Sequence, residues 1–446
     1  MLYYAFNVII LTKLFRREEG KMLKTPKGLR LQIGFFGKRN AGKSSLFNAF
    51  AHQEVSIVSP VAGTTADPVE KAMEIHSLGP VLLIDTAGLD DDAFLIGDLR
   101  QEKSRKIMDR VDMAFVIAEA DKWGSFEEEL LKKLLQKNVK VIAVLNKEDL
   151  YTLPEEVKED FRKRELPFVC TSVTRGNGIG TLREYLVKYA PEEYLESPRM
   201  VGDILEENSH AVLVAPMDIE APKGRLIMPQ VQAIRDILDK NSSVTVTKPD
   251  MLAKVLANLK EPPALVITDS QAFREVAPAV PENIPLTSFS ILMAKLKGDL
   301  ALCAAGAARV LAEKPLRNVL IAEACSHHPM QEDIGRVKIP AGIRKLRSKL
   351  EKRELDESEI VFTHVQGQDY PDDIEKYDLV IHCGACTFNT RQMRTRILRA
   401  AEKNVPFSNY GVVLACCAGI LERALSPFPA ALEAYCRARE KEAGKS

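Results

Sequence analysis

The 446-residue sequence predicts an α/β protein made of three consecutive α/β domains. Three observations predict it. Short apolar runs alternate with helical patterns along the chain, the way parallel βαβ units read in sequence. The length accommodates about three domains of roughly 150 residues each. A hydrophobic fraction of 46% supplies real cores and excludes a disordered or collagenous chain. Lysine and arginine together number 62, as do aspartate and glutamate, so the net charge is zero. A dedicated nucleic-acid binder would carry a basic excess, so no nucleic-acid partner is expected. Eight cysteines are too few for a disulfide scaffold in a chain this long. Clustered as they are, they read as reduced thiols, or metal ligands, in a reducing compartment.

The elements follow in order. Residues 1–26 are expected to be a disordered extension or a mis-assigned start. Residues 1–15 (MLYYAFNVIILTKLF) are apolar but interrupted by Lys13, and Met22 stands just before the first strand pattern. The run is shorter than the about 20 residues of a membrane span and lacks the leading positive charge of a signal peptide. No other stretch could span a bilayer, so a cytoplasmic protein with no membrane partner is expected. Residues 27–195 form the first domain, with strands at LQIGFFG, VLLIDT, MAFVIA, KVIAVLN and PFVCTSV. PEEYLESPRM (191–200) reads as a linker. Residues 200–295 form the second domain, with strands AVLVAPM, SVTVTK and ALVITD and helices such as PQVQAIRDILDK. Residues 296–446 form the third, with strands NVLIAEA, EIVFTHV, DLVIHCG and VPFSNY. Neither an internal repeat nor a low-complexity tract is visible.

Gly37-Lys38-Arg39-Asn40-Ala41-Gly42-Lys43-Ser44 follows LQIGFF and matches G-x-x-x-x-G-K-[ST]. Glycines there let backbone N–H groups converge on phosphate oxygens, and the helix that begins at Ser44 and Ser45 aims its N-terminal dipole at them. Lys43 is expected on the β/γ-phosphates and Ser44 on Mg²⁺. Asp85-Thr86-Ala87-Gly88 ends the run VLLI, which puts a carboxylate at a strand's C-terminal edge near the metal, with Gly88 beside it. In Gly63-Thr64-Thr65, Thr65 is expected to supply the hydroxyl that senses Mg²⁺ and the γ-phosphate, with Thr64 the alternative. Asn146-Lys147-Glu148-Asp149 ends VIAVL, and with it the set resembles the GTPases. In that family N-K-x-D reads guanine. The resemblance implies that Asp149 accepts from the ring N1 and exocyclic amine while Asn146 and Lys147 buttress the site.

Ser172-Val173-Thr174 stands where the family usually reads Ser-Ala-x; Ser172 is carried over and Val173 departs. The first domain is thus expected to be a P-loop GTPase with a mostly parallel sheet, binding GTP or GDP with Mg²⁺. Leu89 stands where Ras-like enzymes keep a water-positioning Gln, which implies slow turnover or another catalytic device. Asn40, with Thr64, Thr65 and Asp67, resembles the potassium-activated GTPases of the tRNA-modification and Era-like branch. That resemblance implies that Asn40 carries K⁺ to the position normally filled by an arginine finger.

Cys325-Ser326-His327-His328 follows NVLIAEA, His382-Cys383-Gly384-Ala385-Cys386 follows DLVI, and His364 ends EIVFT. All sit at C-terminal strand edges, where open α/β sheets build their sites. Spacing alone leaves three chemistries open: zinc with His327, His382 or His364 as fourth ligand, a Cys383–Cys386 redox pair, or an iron–sulfur cluster on three cysteines. Cys170, Cys303, Cys416, Cys417 and Cys436 read as packing residues.

A GTPase domain followed by C-x-H, a spacer of about fifty residues and H-C-x-x-C resembles the [FeFe]-hydrogenase maturation GTPases from about residue 25 onward. The run Ala221-Pro222-Lys223-Gly224-Arg225-Leu226-Ile227-Met228-Pro229-Gln230 belongs to the same resemblance. It implies a [4Fe-4S] cluster on Cys325, Cys383 and Cys386, its fourth ligand open among His327, His382 and Glu332, and a second domain that dimerises. It also implies a scaffold that works with two radical-SAM maturases on a diiron subcluster and delivers it to apo-[FeFe]-hydrogenase. Two other classes compete. One is an Era-like GTPase with a zinc-containing RNA-binding domain, against which stand the lone Trp123 and the absence of a basic stripe with interleaved aromatics. The other is a thiol oxidoreductase fused to a GTPase.

Overall fold

The computed structural model describes residues 30–52, 60–61, 69–75, 78–86, 105–195, 199–216, 226–324 and 333–442. Residues 1–26, Thr64, Thr65, Asp67, Gly88, Leu89, Ala221 to Arg225, Cys325, His327 and Glu332 lie outside the described residues.

The first sheet has seven strands in the order β2-β3-β4-β1-β5-β6-β7. They are β1 (Leu31–Gly37), β2 (Pro60–Val61), β3 (Val69–Ile75), β4 (Gly79–Asp85), β5 (Met113–Glu119), β6 (Lys140–Asn146) and β7 (Phe168–Thr171). From β4 to β7 the pairing is parallel, while β3 runs antiparallel to β4, and β2 to β3. The parallel strands are continuous apolar runs because both faces are covered. On one face Phe35 and Phe115, 5.0 Å apart, meet Phe47 and Phe50 of α1 (Lys43–His52) edge-on, ring centroids 5.3–6.1 Å apart. On the other lie Val116, Leu134, Leu145 and Phe161. The strand β3 alternates buried and exposed residues, a weaker signal that the motif-led reading of the sequence passes over.

The second sheet, β11-β10-β8-β9, comprises β8 (His210–Val214), β9 (Ser243–Thr247), β10 (Leu265–Thr268) and β11 (Leu286–Ser288), all parallel. Its last strand runs directly into α2 (Phe289–Lys297). The third sheet, β13-β12-β14-β15, comprises β12 (Asn318–Glu323), β13 (Val361–Gln366), β14 (Leu379–His382) and β15 (Phe407–Asn409), also all parallel. Helix α3 (Thr390–Glu402) precedes β15, and β15 runs directly into α4 (Tyr410–Cys417). Counted from the first strand of each, both sheets have the order 2-1-3-4 and end in the same strand-to-helix turn. This repeat corrects the expectation of none. It is invisible in sequence because the two halves share pattern rather than residues, as IPLTSF against VPFSNY shows.

The second and third sheets are not separate bodies. Ser290 and Gly411, each the second residue of its helix, meet between α2 and α4. Gly411 N donates to Ser290 Oγ at 3.1 Å, and Ser290 Oγ donates to Asn409 Oδ1 at 2.9 Å. One buried core runs from Val212, Ile267 and Leu292 through Val412 and Ala415 to Leu425. The third domain also docks on the first. Asn389, which caps α3, donates from Nδ2 to both Asp112 carboxylate oxygens (3.0 and 3.1 Å) and to Arg110 O (2.7 Å). Arg399 pairs with Asp109 at 2.6 Å, and Arg391 donates to the carbonyls of Lys137 and Asn138. Among the described residues no helix is long and apolar enough to cross a membrane.

Candidate functional site

The phosphate loop joins β1 to α1. Gly37 and Gly42 take φ of 148° and 90°, and a Cβ would lie 2.1 Å from Ile117 O at the first and 2.2 Å from Asn146 Nδ2 at the second. Only glycine fits both positions. Asn40, exposed, is left-handed at φ 65°, a conformation asparagine tolerates better than most residues. Lys43 is buried and donates from Nζ to Gly37 O and Lys38 O, both at 2.7 Å, so its ammonium spans the loop from inside. Ser44 and Ser45 are exposed in the first turn of α1. The Asp85 carboxylate is buried at the C-terminal end of β4, with Thr86 anchored by its hydroxyl to Phe35 O at 2.6 Å. Thr65 and Gly88 lie outside the described residues.

The guanine motif closes the same edge. Asn146 Nδ2 donates to Ala41 O at 3.0 Å and its Oδ1 accepts from Thr171 Oγ1 at 3.1 Å, which ties the motif to the phosphate loop. Asp149 accepts from Ser172 Oγ at 2.7 Å and from Thr174 Oγ1 at 2.9 Å. These two hydroxyls, Ser172 first, hold its carboxyl below the usual range. It is therefore ionised at neutral pH and suited to accept from two N–H donors of a base. Lys147, at φ 62°, pairs with Glu119 at 2.5 Å, and Glu119 also binds Lys122. Glu119 and Thr171 lie outside the sequence motifs, and Thr174 stands in the Ser172-Val173-Thr174 run without a role assigned from sequence. The S-x-T spacing of Ser172 and Thr174 offered a signal for the last; Glu119 lies on another strand and offered none.

The sulfur site lies at the corresponding edge of the third sheet. Cys383 follows β14, and its Sγ accepts N–H bonds from Ala324, just past β12, at 3.2 Å and from Ala385 at 3.4 Å. Such bonds favour the thiolate over the thiol. Ala385 is buried with φ 52°, a left-handed turn between Cys383 and Cys386. Lys297, the last residue of α2, donates from Nζ to Phe388 O (2.6 Å), Ala385 O (2.9 Å) and Cys386 O (3.4 Å). Burial holds its ammonium down to about 8, against the pull of the Cys386 and Cys383 thiols. His382 is wholly buried: Nδ1 lies 3.0 Å from Cys383 O, and Nε2 lies 2.8 Å from the Arg396 guanidinium. Burial and then the Arg396 charge press its pKa down to about 3, so the ring is neutral, with Nδ1 donating and Nε2 accepting. Both nitrogens are engaged within the protein, and the ring positions Arg396 and the Cys383 carbonyl.

His364, on β13, has a buried Nδ1 with no hydrogen-bond partner among the described residues. Among those residues no group of three His, Cys, Asp or Glu side chains could hold a metal ion; Cys325 lies outside them. Two N–H-bonded or cation-neighboured thiols beside buried Lys297 and Arg396 suit an anionic, sulfur-ligated group. The remaining cysteines differ. Burial pushes the thiols of Cys303 and Cys416 far up and Cys417 up to about 12, so they behave as apolar packing.

Three family models match the chain. Residues 32–147 match a 50S ribosome-binding GTPase family, residues 200–298 the hydrogen maturase F dimerization domain, and residues 301–427 the hydrogen maturase F tetramerization domain. The two hydrogen maturase F matches together cover more than half of the chain. Among similar proteins, the tRNA modification GTPase MnmE of Burkholderia cenocepacia is 31% identical over 221 residues, 46% of this chain and 47% of that protein. GTPase Der of Wolinella succinogenes is 35% identical over 167 residues, 35% of each chain. The chain thus spans about half the length, or less, of these relatives. Among solved structures, the G domain of the Thermotoga maritima FeoB iron transporter shares 24% identity, with a TM-score of 0.29, over 36% of this chain and 98% of that one.

Proposed function

This chain belongs to the hydrogen maturase F family, and on that premise we propose that it is a GTP-binding, GTP-hydrolysing scaffold for [FeFe]-hydrogenase maturation. In this reading the third domain carries a [4Fe-4S] cluster on Cys325, Cys383 and Cys386. The scaffold works with two radical-SAM maturases on the diiron subcluster and hands it to apo-[FeFe]-hydrogenase in the cytoplasm. The observation that supports the cluster most directly is the setting of Cys383: two N–H bonds to sulfur beside buried cations, where the packing cysteines Cys303 and Cys416 have burial alone. A cluster bound there offers, at the iron not held by cysteine, an exchangeable coordination position.

The chain's own residues supply the rest. Lys43 and the loop N–H groups bind phosphate, Asp149 reads the base, and Ser44 with Asp85 and Thr65 organises Mg²⁺. Asn40 would hold K⁺, which would supply positive charge toward the transferring phosphate. The nucleotide state reaches the sulfur loop through Asp112. This residue precedes β5, whose far end is Glu119, the partner of Lys147; Asp112 itself grips Asn389, three residues past Cys386. GTP then acts as a switch on partner exchange. The second domain joins two copies into a homodimer.

Anaerobic reconstitution with iron and sulfide tests the reading: it yields a brown protein with about four irons per chain that activates apo-hydrogenase. Alanine at Cys325, Cys383 or Cys386 that still assembles a full cluster overturns the ligand set. GTP hydrolysis is faster in KCl than in NaCl; equal rates remove K⁺ from Asn40.

A further inference from the structure

The sulfur loop carries a cation from the helix that follows the last strand of the second sheet. Lys297 ends α2, the helix of the second sheet, yet its ammonium lies under the turn of the third, 2% exposed. Its three N–H groups meet three carbonyls, those of Ala385, Cys386 and Phe388. Hydrogen bonding is thereby complete, but the charge is not balanced: no carboxylate pairs with it among the described residues. Burying an unpaired ammonium costs free energy that neutral carbonyls only partly offset. The acidic groups that act on it are the thiols of Cys386 and Cys383.

Two further observations point the same way. Arg396, 6% exposed, stands on another side of the same loop, held by His382 Nε2 at 2.8 Å and Gly367 O at 2.5 Å. It too lacks a paired carboxylate among the described residues. The repeat supplies the other. Aligning α2 on α4 from Phe289 and Tyr410 sets Gly298 against Gly419 and Lys297 against Ala418. Ala418 lines a cavity with Ser270 and Gln271, which follow β10, the counterpart of β14. The helix that faces the sulfur loop ends in Lys297, whereas the aligned position just past Cys417, the last residue of α4, is Ala418, and the side chain that reaches the sulfur-free loop there is Lys338, donating to Gln271 Oε1 at 2.7 Å. The lysine at the sulfur loop meets only backbone carbonyls and the one at the counterpart loop meets a side-chain amide, so a buried ammonium without a polar side-chain partner among the described residues stands only at the sulfur loop of the two.

We propose that Lys297 is a positioning residue for the sulfur-ligated group: it fixes the Cys383–Cys386 turn and supplies the buried positive charge that offsets the negative charge of the group held there. This rests on the cluster reading above. A cation beside such a group stabilises its reduced, more negative state, so its removal lowers the reduction potential.

The test compares full-length wild type with Lys297→Gln, Lys297→Arg and Lys297→Met after anaerobic iron–sulfide reconstitution. Lys297→Gln keeps N–H donors without charge; it is expected to load iron and to show a midpoint potential shifted to lower values. Lys297→Arg, which keeps the charge, restores the potential toward wild type. Lys297→Met loses both roles and is expected to bind less than half the iron. GTP hydrolysis, which uses none of these atoms, stays at the wild-type rate and reports an intact first domain, and a wild-type thermal unfolding midpoint reports that the second and third sheets of each variant are folded. A Lys297→Gln protein with wild-type iron and wild-type potential overturns the proposal while leaving the cluster intact. Wild-type protein that takes up no iron–sulfur group overturns the cluster reading, and this proposal with it.

Discussion

The second and third sheets share strand order, direction and the strand-to-helix turn, and they share one core, yet they differ in what stands at the strand ends. After β10 the second sheet has Asp269 and Ser270, with Gln230 donating to Asp269 at 2.9 Å and Ser270 to Ser288 at 2.8 Å. After β14 the third sheet has Cys383, and its ring His382 and cation Arg396 lie beneath. The two halves also face each other, so each sheet's loop packs on the other's helix. The scaffold is thus indifferent to chemistry: a parallel sheet leaves a crevice at its C-terminal edge wherever the strand order reverses. The residues placed in it decide whether it holds a ligand or only closes an interface.

The largest test of this difference compares Cys383 with its counterpart. Cys383→Ala is expected to abolish most of the iron bound on reconstitution, whereas Asp269→Ala leaves iron per chain at the wild-type value and costs at least about 1 kcal/mol through the lost hydrogen bond from Gln230. Equal iron losses would mean that the two edges form one site. Next comes the shared core. A Cβ at Gly411 lies 2.8 Å from Ser290 Cβ and 3.0 Å from Ile291 N, so Gly411→Ala is expected to cost about 1–3 kcal/mol in thermal or urea unfolding. Adding Ser290→Gly, the reciprocal swap, recovers part of that loss. Independence of the two changes would show that the helices do not pack as described.

The smallest effect concerns the contact only the third sheet makes through Asn389. Burial raises the Asp112 carboxyl to about 7 despite donors at Gln32 N, Tyr194 and Asn389. Between its unfolded value of about 3.9 and 7, the folded chain binds this proton more tightly than the unfolded one. Stability from this group is therefore greatest in acid and falls as pH rises through that window. Asp112→Asn has no such proton, so between pH 5 and 8 wild type is expected to lose more melting temperature than the variant. Identical pH profiles would mean that the carboxylate is solvated and the docking loose.

Much of the nucleotide site was legible because its chemistry is local. Gly37, Gly42, Lys43 and Ser44 lie within one turn, where backbone geometry demands particular residue types, and Asp85, Asn146 and Asp149 end apolar strand runs. What escaped was what meets across strands, namely Thr171 on Asn146 and Glu119 on Lys147. At the sulfur edge Cys383 and Cys386 were legible as a pair. His382 read as a candidate ligand because a sequence shows an imidazole but not that Arg396 and a carbonyl occupy both nitrogens.

The sequence by itself determined the residue types that chemistry requires at fixed short spacing: the phosphate loop, the guanine motif, the cysteine pair and the apolar runs that become parallel strands. Tertiary structure alone decided that two sheets repeat one topology over a common core, that Lys297 at the end of the second sheet's helix binds the carbonyls of the Cys383–Cys386 loop, and that Asp112 accepts from Asn389. The physical reason is range. Backbone conformation and hydrophobic periodicity act over a few residues, whereas Lys297 and Phe388 are 91 residues apart, and Asp112 and Asn389 are 277 apart. Charge balance and packing between such partners exist only once the chain has closed.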